Sequence, residues 1–159
     1  MSWKALENEC PELAEVGLGR LQGRVSYLAT TRADGSPRVH PVTPIIGEGR
    51  LFVFMEPTSP KGRDLERGSR FALHCGVEDN EGGFGEFLVS GRGVRLDGAE
   101  SRAQAVRLAS YGVAERYILY ELLPDEAMAT SYEDAGPQRT RWQAARETSP
   151  QHGTPKIRT

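Results

Sequence analysis

Residues 25–46 read VSYLATTRADGSPRVHPVTPII and predict a β-hairpin. The β-branched and aromatic run from Val25 suits an extended strand, an Asp-Gly pair lies in the turn, and the extended pattern resumes at Arg38. After a second short turn, the apolar run LFVFMEP at residues 51–57 predicts a third strand that is covered on both faces. Consecutive strands joined by short turns favour an antiparallel sheet over an open parallel one.

The rest of the chain alternates further strands with short helices. Strands are expected at residues 70–77, 86–96, 116–124 and 140–146, and helices within 4–21, 58–68 and 99–112. A polar loop around 131–138 is expected between the last two strands. Six or seven strands therefore predict a mainly β (α+β) fold, an antiparallel split β-barrel of Greek-key type with short flanking helices. One domain is expected over residues 1–147, followed by a disordered polar tail over 148–159.

The composition limits the class of protein. A chain of 159 residues fits one domain, and 38% apolar residues, 26% charged residues and a net charge of -2 are typical of a soluble globular protein. The negative charge disfavours nucleic-acid binding. No apolar stretch reaches the length of a membrane span and the first residues lack a signal-peptide pattern, so a cytoplasmic location is expected. The two cysteines, Cys10 and Cys75, have no disulfide or metal-binding spacing.

The segment TSPKGRDL, residues 58–65, is the candidate anion site. A strand that runs directly into a helix leaves unpaired N–H groups and a partial positive charge at the helix start. Ser59, Lys61 and Arg63 add a hydroxyl, an ammonium and a guanidinium group, which together suit a phosphate. The alternative is a capped surface helix whose charges face water.

Three more residues are candidates for ligand contact. Arg38 and His40 share one side of the predicted second strand, so both can border the same ligand. The alternatives are a solvated charge at a strand end and a structural histidine. Trp142 either stacks on a ligand ring or caps the barrel. No zinc-ligand spacing and no serine nucleophile motif is present in the sequence, so metal catalysis and hydrolysis are disfavoured.

Three segments in their order resemble the flavin-binding split-barrel family of pyridoxamine-phosphate-oxidase-like proteins. They are VSYLATTRADGSPRVHPVTPII, LFVFMEPTSPKGRDLERGSRFALHC and EFLVSGRGVRL, and the similarity spans about residues 13–144. Its most specific piece is a strand followed by Ser59, Lys61 and a helix that contains Leu65. In the family this corner holds the phosphate of the flavin.

The resemblance implies an oxidoreductase that binds FMN and transfers hydride to or from a small molecule. It further implies a homodimer with two flavin sites at the subunit interface. The strand that begins at Arg38 is expected to lie along the cofactor, with the backbone around Met55 at the ring edge. The candidate FMN-binding residues are Arg38, Val39, His40, Met55, Ser59, Lys61, Arg63 and Trp142.

The sequence departs from true pyridoxamine phosphate oxidases in two places. Pro60 stands where those enzymes have an arginine, and no Arg-x-His substrate motif follows Trp142. Oxidation of a B6 vitamer is therefore not expected. The alternatives are a reductase that uses the deazaflavin coenzyme F-420 and a barrel without catalysis that binds flavin, haem or a protein partner.

Overall fold

The computed structural model describes residues 2–145, which form four helices and eight strands. The helices are α1 (Trp3–Glu9), α2 (Pro11–Leu21), α3 (Pro60–Glu66) and α4 (Ala99–Leu108). The strands are β1 (Ser26–Thr31), β2 (Pro37–Val42), β3 (Ile45–Gly47), β4 (Arg50–Met55), β5 (Arg70–Cys75), β6 (Glu86–Leu96), β7 (Ile118–Glu133) and β8 (Gly136–Gln143). The predicted domain end at residue 147 and the predicted tail lie outside the described residues.

The strands form one antiparallel sheet in the order β2-β1-β5-β6-β7-β4-β3, and β8 pairs with β7. Among the described residues β2 and β3 do not pair with each other, so the barrel is split rather than closed. The mainly β, split-barrel fold expected from the sequence is thus confirmed. None of the helices in this part of the chain is long and apolar enough to cross a membrane.

Two local differences distinguish the observed strands from the expected ones, and only the second, a break in the predicted second strand, adds an eighth strand. The segment 131–138 is mostly strand, because β7 continues to Glu133 and β8 begins at Gly136 after a two-residue turn. Gly136 has a φ of +103°, which a glycine adopts without strain. The predicted second strand is broken at Pro44, whose ring nitrogen cannot donate to a ladder, so β2 pairs with β1 while β3 pairs with β4.

The main core lies between the sheet and the two N-terminal helices. It contains Trp3 and Leu13 from the helices and Leu28, Phe71 and Phe87 from the strands, all buried in one cluster. A smaller cluster joins α4 to the other end of the sheet, and its members are Ile45, Phe52, Ala105 and Leu119. This second cluster places the chain that follows α4 beside the end of β4.

Candidate functional site

The corner between β4 and α3 brings Ser59 and Lys61 together. Pro60 occupies the first helical position, which suits its fixed φ and missing N–H. The buried Ser59 hydroxyl accepts a hydrogen bond from Lys61 Nζ at 3.0 Å and does not cap the helix. Its role in the structure is therefore to position the ammonium group.

Lys61 is a half-buried cation without a carboxylate partner. None of the ion pairs among residues 2–145 involves it. Burial lowers the pKa of Lys61, and the nearby charge of Arg38 lowers it further. Because a buried charge is costly unless it is compensated, an anion beside Lys61 would be stabilised.

Asp64 fixes the second cation of the site. Its carboxylate is 1% exposed and accepts hydrogen bonds from Thr30 Oγ1 at 2.8 Å, from Arg38 Nε at 2.7 Å and from Arg67. Burial acts to raise the pKa of Asp64, but these hydrogen bonds outweigh it and leave the pKa below its ordinary value. The charged carboxylate binds Arg38 through Nε. Within residues 2–145 no group accepts a hydrogen bond from the Nη groups of Arg38.

His40 lies near both cations. Residues alternate along β2, so Arg38 and His40 share one face, as predicted, while Val39 points to the other and is 60% exposed. Burial lowers the pKa of His40, and the positive charges of Lys61, Arg38 and Arg32 lower it further. His40 is therefore a neutral imidazole at pH 7, beside a group of cations.

A cavity of about 270 Å³ opens beside Lys61 between β2 and β4. Val42 and Met55 contribute to its walls, and Tyr111 and Tyr117 line it from the chain that follows α4. The side chain of Met55 is buried, so the end of β4 borders this space without an exposed Met55 side chain. Aromatic and polar side chains next to one cation suit a ring that carries an anionic arm.

A second cavity, of about 340 Å³, is lined by Arg38, which does not line the first. Four guanidinium groups and two carboxylates line it, those of Arg32, Arg38, Arg63, Arg67, Asp34 and Asp64. Arg63 is exposed here and does not line the cavity that contains Lys61. The structure therefore places Arg63 with Arg38 rather than with Ser59 and Lys61.

Trp142 lies away from this corner, in the main core. It is 7% exposed, and its Nε1 donates a hydrogen bond to Glu9 Oε2 at 2.8 Å. It faces Ala127 across the β7–β8 ladder. The structure thus assigns Trp142 a packing contact with α1 and does not bring it to Lys61.

Four residues of the site were not found from the sequence. Asp64 could have been found, because Arg67 follows it at the i,i+3 spacing of a helical ion pair. Thr30 could not have been found, because its contact with Asp64 beside Arg38 depends on the register between β1 and β2. Tyr111 and Tyr117 lie in an irregular connection, where no periodicity indicates which way a side chain points.

Comparison with protein-family models gives no match, and comparison with curated protein sequences gives none either. Solved structures do match. A haem-binding protein from Mycobacterium smegmatis has a TM-score of 0.60 and 17% identity, over 79% of this chain and 55% of that chain. The chain thus spans about half the length of that protein.

Two further matches cover most of both chains. HutZ, the haem storage protein from Vibrio cholerae, has a TM-score of 0.55 and 19% identity, over 72% of this chain and 89% of its own. A protein of the pyridoxinephosphate oxidase family from Clostridium acetobutylicum is related to general stress protein 26. It has a TM-score of 0.58 and 14% identity, over 88% of this chain and 95% of that chain. At these identities the likeness concerns the fold, and the chain has the split-barrel fold of pyridoxamine-phosphate-oxidase-like proteins.

Proposed function

We propose that the chain binds FMN by its phosphate at the corner of Ser59, Lys61 and Arg38 and acts as a flavin-dependent oxidoreductase. The observation that carries the proposal is the half-buried ammonium of Lys61, which has no carboxylate partner in residues 2–145 and lies near a second cation. Bound flavin would supply hydride transfer, so no catalytic acid or base is required of the protein.

The residues of the corner fit a phosphate group in complementary ways. Lys61 provides charge, Ser59 holds the ammonium in place, and Arg38 offers its Nη groups while Asp64 fixes its Nε. Each charged hydrogen bond to a phosphate is worth about 1.5 to 3 kcal/mol. The neutral His40 adds a donor without adding a further charge that would have to be buried.

Haem is the second candidate, because two of the solved structures with this fold are described as haem proteins. The same corner would bind a carboxylate as well as a phosphate, and a neutral imidazole such as His40 is a common metal ligand. The deazaflavin coenzyme F-420 is the third candidate, as the cofactor of a reductase that uses it instead of FMN. The three cofactors have distinct visible absorption bands.

An absorbance spectrum tests the proposal. The purified full-length chain is incubated with excess FMN, freed of unbound ligand by gel filtration and scanned across the visible range. Retained flavin bands in a stoichiometric amount support the proposal. A folded protein that retains no FMN, but retains haemin or the deazaflavin in the same procedure, contradicts it.

We also propose that the chain forms a homodimer through the outer face of the sheet. Two cavities, of about 600 and 440 Å³, lie along this face across neighbouring strands. Small side chains form the floor of the first, including Ala29, Ala72 and Ser90, and Leu88 and Met128 line the second. A concave face of small and apolar side chains with charged residues beside them allows the close approach of a second sheet.

A further inference from the structure

The connection between α4 and β7, residues 109–117, forms one wall of the cavity beside Lys61. Tyr111 and Tyr117 both line this cavity, and Phe54 from β4 provides a third aromatic side chain. Two tyrosines thus lie across the cavity from the strand that carries Met55. Three aromatic side chains thus line part of an open cavity that has a single lysine at its edge.

The connection is held in place by Arg102 of α4. The guanidinium group donates to the backbone oxygen of Tyr117 at 2.6 Å, of Ala114 at 3.1 Å and of Glu115 at 3.0 Å. The same guanidinium lies 5.2 Å from the ring centroid of Phe54. One side chain therefore fixes the backbone of the connection against β4 and orders the wall before any ligand binds.

Contacts with neighbouring residues, of which Thr43 and Glu56 also line the cavity, hold the two tyrosine rings. The Arg116 guanidinium lies 5.0 Å from the ring centroid of Tyr117 and pairs with Glu56 at 2.6 Å. The Tyr111 hydroxyl donates to the backbone oxygen of Thr43 at 3.3 Å. Both rings are thus held at the edge of the cavity that they line.

The charges of the cavity select the kind of ligand. Glu56 lies in the wall but is neutralised by Arg116, so Lys61 carries the charge that is left without a partner in residues 2–145. A volume of about 270 Å³ is small compared with the pockets of drug-sized ligands, so it suits one flat ring system. Aromatic walls and one cation together fit a planar heteroaromatic ring with an anionic arm.

We propose that Tyr111 and Tyr117 stack on the ring of the bound ligand and determine its specificity, while Lys61 binds its anionic arm. This inference rests on the proposed function and extends it, because it assigns ring recognition to residues of the α4–β7 connection. Removal of one aromatic contact of this kind is expected to weaken binding of the ligand about 2- to 10-fold.

Titration with FMN and with riboflavin, which has the same ring but no phosphate, tests this division of roles. Tyr111→Leu and Tyr117→Leu are expected to weaken the binding of both ligands by the same factor. Tyr111→Phe should keep the ring contact and bind nearly as well as the wild type. The matched control is Tyr132→Leu, at an exposed tyrosine that bonds Glu86 on another part of the sheet. Thermal unfolding establishes that each variant folds.

The fluorescence of the bound flavin gives a second readout, since a stacked tyrosine quenches it by electron transfer. The two leucine variants at the wall should bind flavin with higher fluorescence than the wild type and the Tyr132 variant. If the wild type binds FMN and neither leucine variant changes affinity or quenching, the inference is overturned and the proposed function stands. If the folded wild type binds neither ligand, both are overturned.

Discussion

Thr30 and Arg38 face each other across the β1–β2 ladder and donate hydrogen bonds to the same oxygen, Oδ2 of Asp64, at 2.8 and 2.7 Å. Asp64 belongs to α3, so this oxygen joins the first hairpin to the helix that follows β4. Arg38 belongs to the hairpin and Lys61 to α3. The buried carboxylate therefore sets the distance between the two cations that are proposed to bind phosphate.

Replacement of Asp64 by alanine is expected to destabilise the fold by about 3 to 5 kcal/mol, because it leaves the guanidinium of Arg38 without its buried partner. Asp64→Asn should cost less, since the amide oxygen still accepts from Thr30. Urea unfolding measures both. A loss below about 1 kcal/mol in the alanine variant would show that the carboxylate does not hold the hairpin to α3.

Acid should weaken the same contact. The pKa of Asp64 lies below its ordinary value of 3.8 in the folded protein, so the carboxylate stabilises the fold fully above pH 3.8. This contribution is lost as the pH falls from 3.8 through the lower pKa of the folded state. Unfolding free energies of the wild type and Asp64→Asn should therefore converge in strong acid, and a constant difference would contradict the assignment.

His40 should report the arrival of an anion. In the free protein its pKa is below 6.5, because of burial and the charges of Lys61, Arg38 and Arg32, while Asp64 acts in the opposite direction. A bound phosphate offsets those positive charges, so FMN is expected to raise the pKa of His40. Proton NMR of the imidazole follows the titration with and without FMN.

His74 provides the internal control for that titration. The Cys75 side chain and then the Cys75 backbone raise its pKa to about 9, and it lies on β5. Its pKa should not change when FMN binds at the corner of Lys61. Equal shifts of both histidines would indicate a general change of the protein, and an unchanged His40 would contradict binding at this site.

A substitution at Trp142 distinguishes a packing role of its indole ring from a ligand contact. Because it packs in the core and donates to Glu9, Trp142→Phe should lower the unfolding free energy by about 1 to 3 kcal/mol and leave the affinity for FMN unchanged. Chemical denaturation and FMN titration of the same preparation measure both. A loss of FMN affinity without loss of stability would restore Trp142 as a ligand contact.

The proposed dimer depends on the outer face of the sheet. Leu88→Arg places a charge in the 440 Å³ cavity and is expected to convert the dimer to a monomer. Val106→Arg, at an exposed valine of α4, should leave the dimer intact. Sedimentation velocity gives the masses. A wild type that sediments as a monomer at micromolar concentration would contradict the proposal.

Much of the fold follows from local patterns. The turn in residues 25–46 predicts the first hairpin, Pro60 marks the start of α3, and two-residue periodicity correctly puts Arg38 and His40 on one face. The start of β8 was predicted at residue 140 instead of Gly136, because the polar residues there are those of a loop as much as those of a half-exposed strand. Composition alone does not distinguish the two.

The site was less predictable, for a physical reason. Ser59 and Lys61 are neighbours in sequence, so their contact could be expected. The contact of Thr30 and Asp64 depends on strand register and on where α3 packs, and that of Tyr111 depends on an irregular connection. Such contacts join parts of the chain far apart in sequence, and no local propensity encodes them.

The most direct test of the central claim is a titration of FMN into the wild type, Lys61→Ala and the matched control Lys4→Ala. Lys4 is exposed on α1 and pairs with Glu7, far in sequence from the corner. Loss of one charged hydrogen bond of about 1.5 to 3 kcal/mol predicts about 10- to 100-fold weaker binding for Lys61→Ala. Lys4→Ala should bind as the wild type does. Equal affinity of the wild type and Lys61→Ala for FMN would contradict the account.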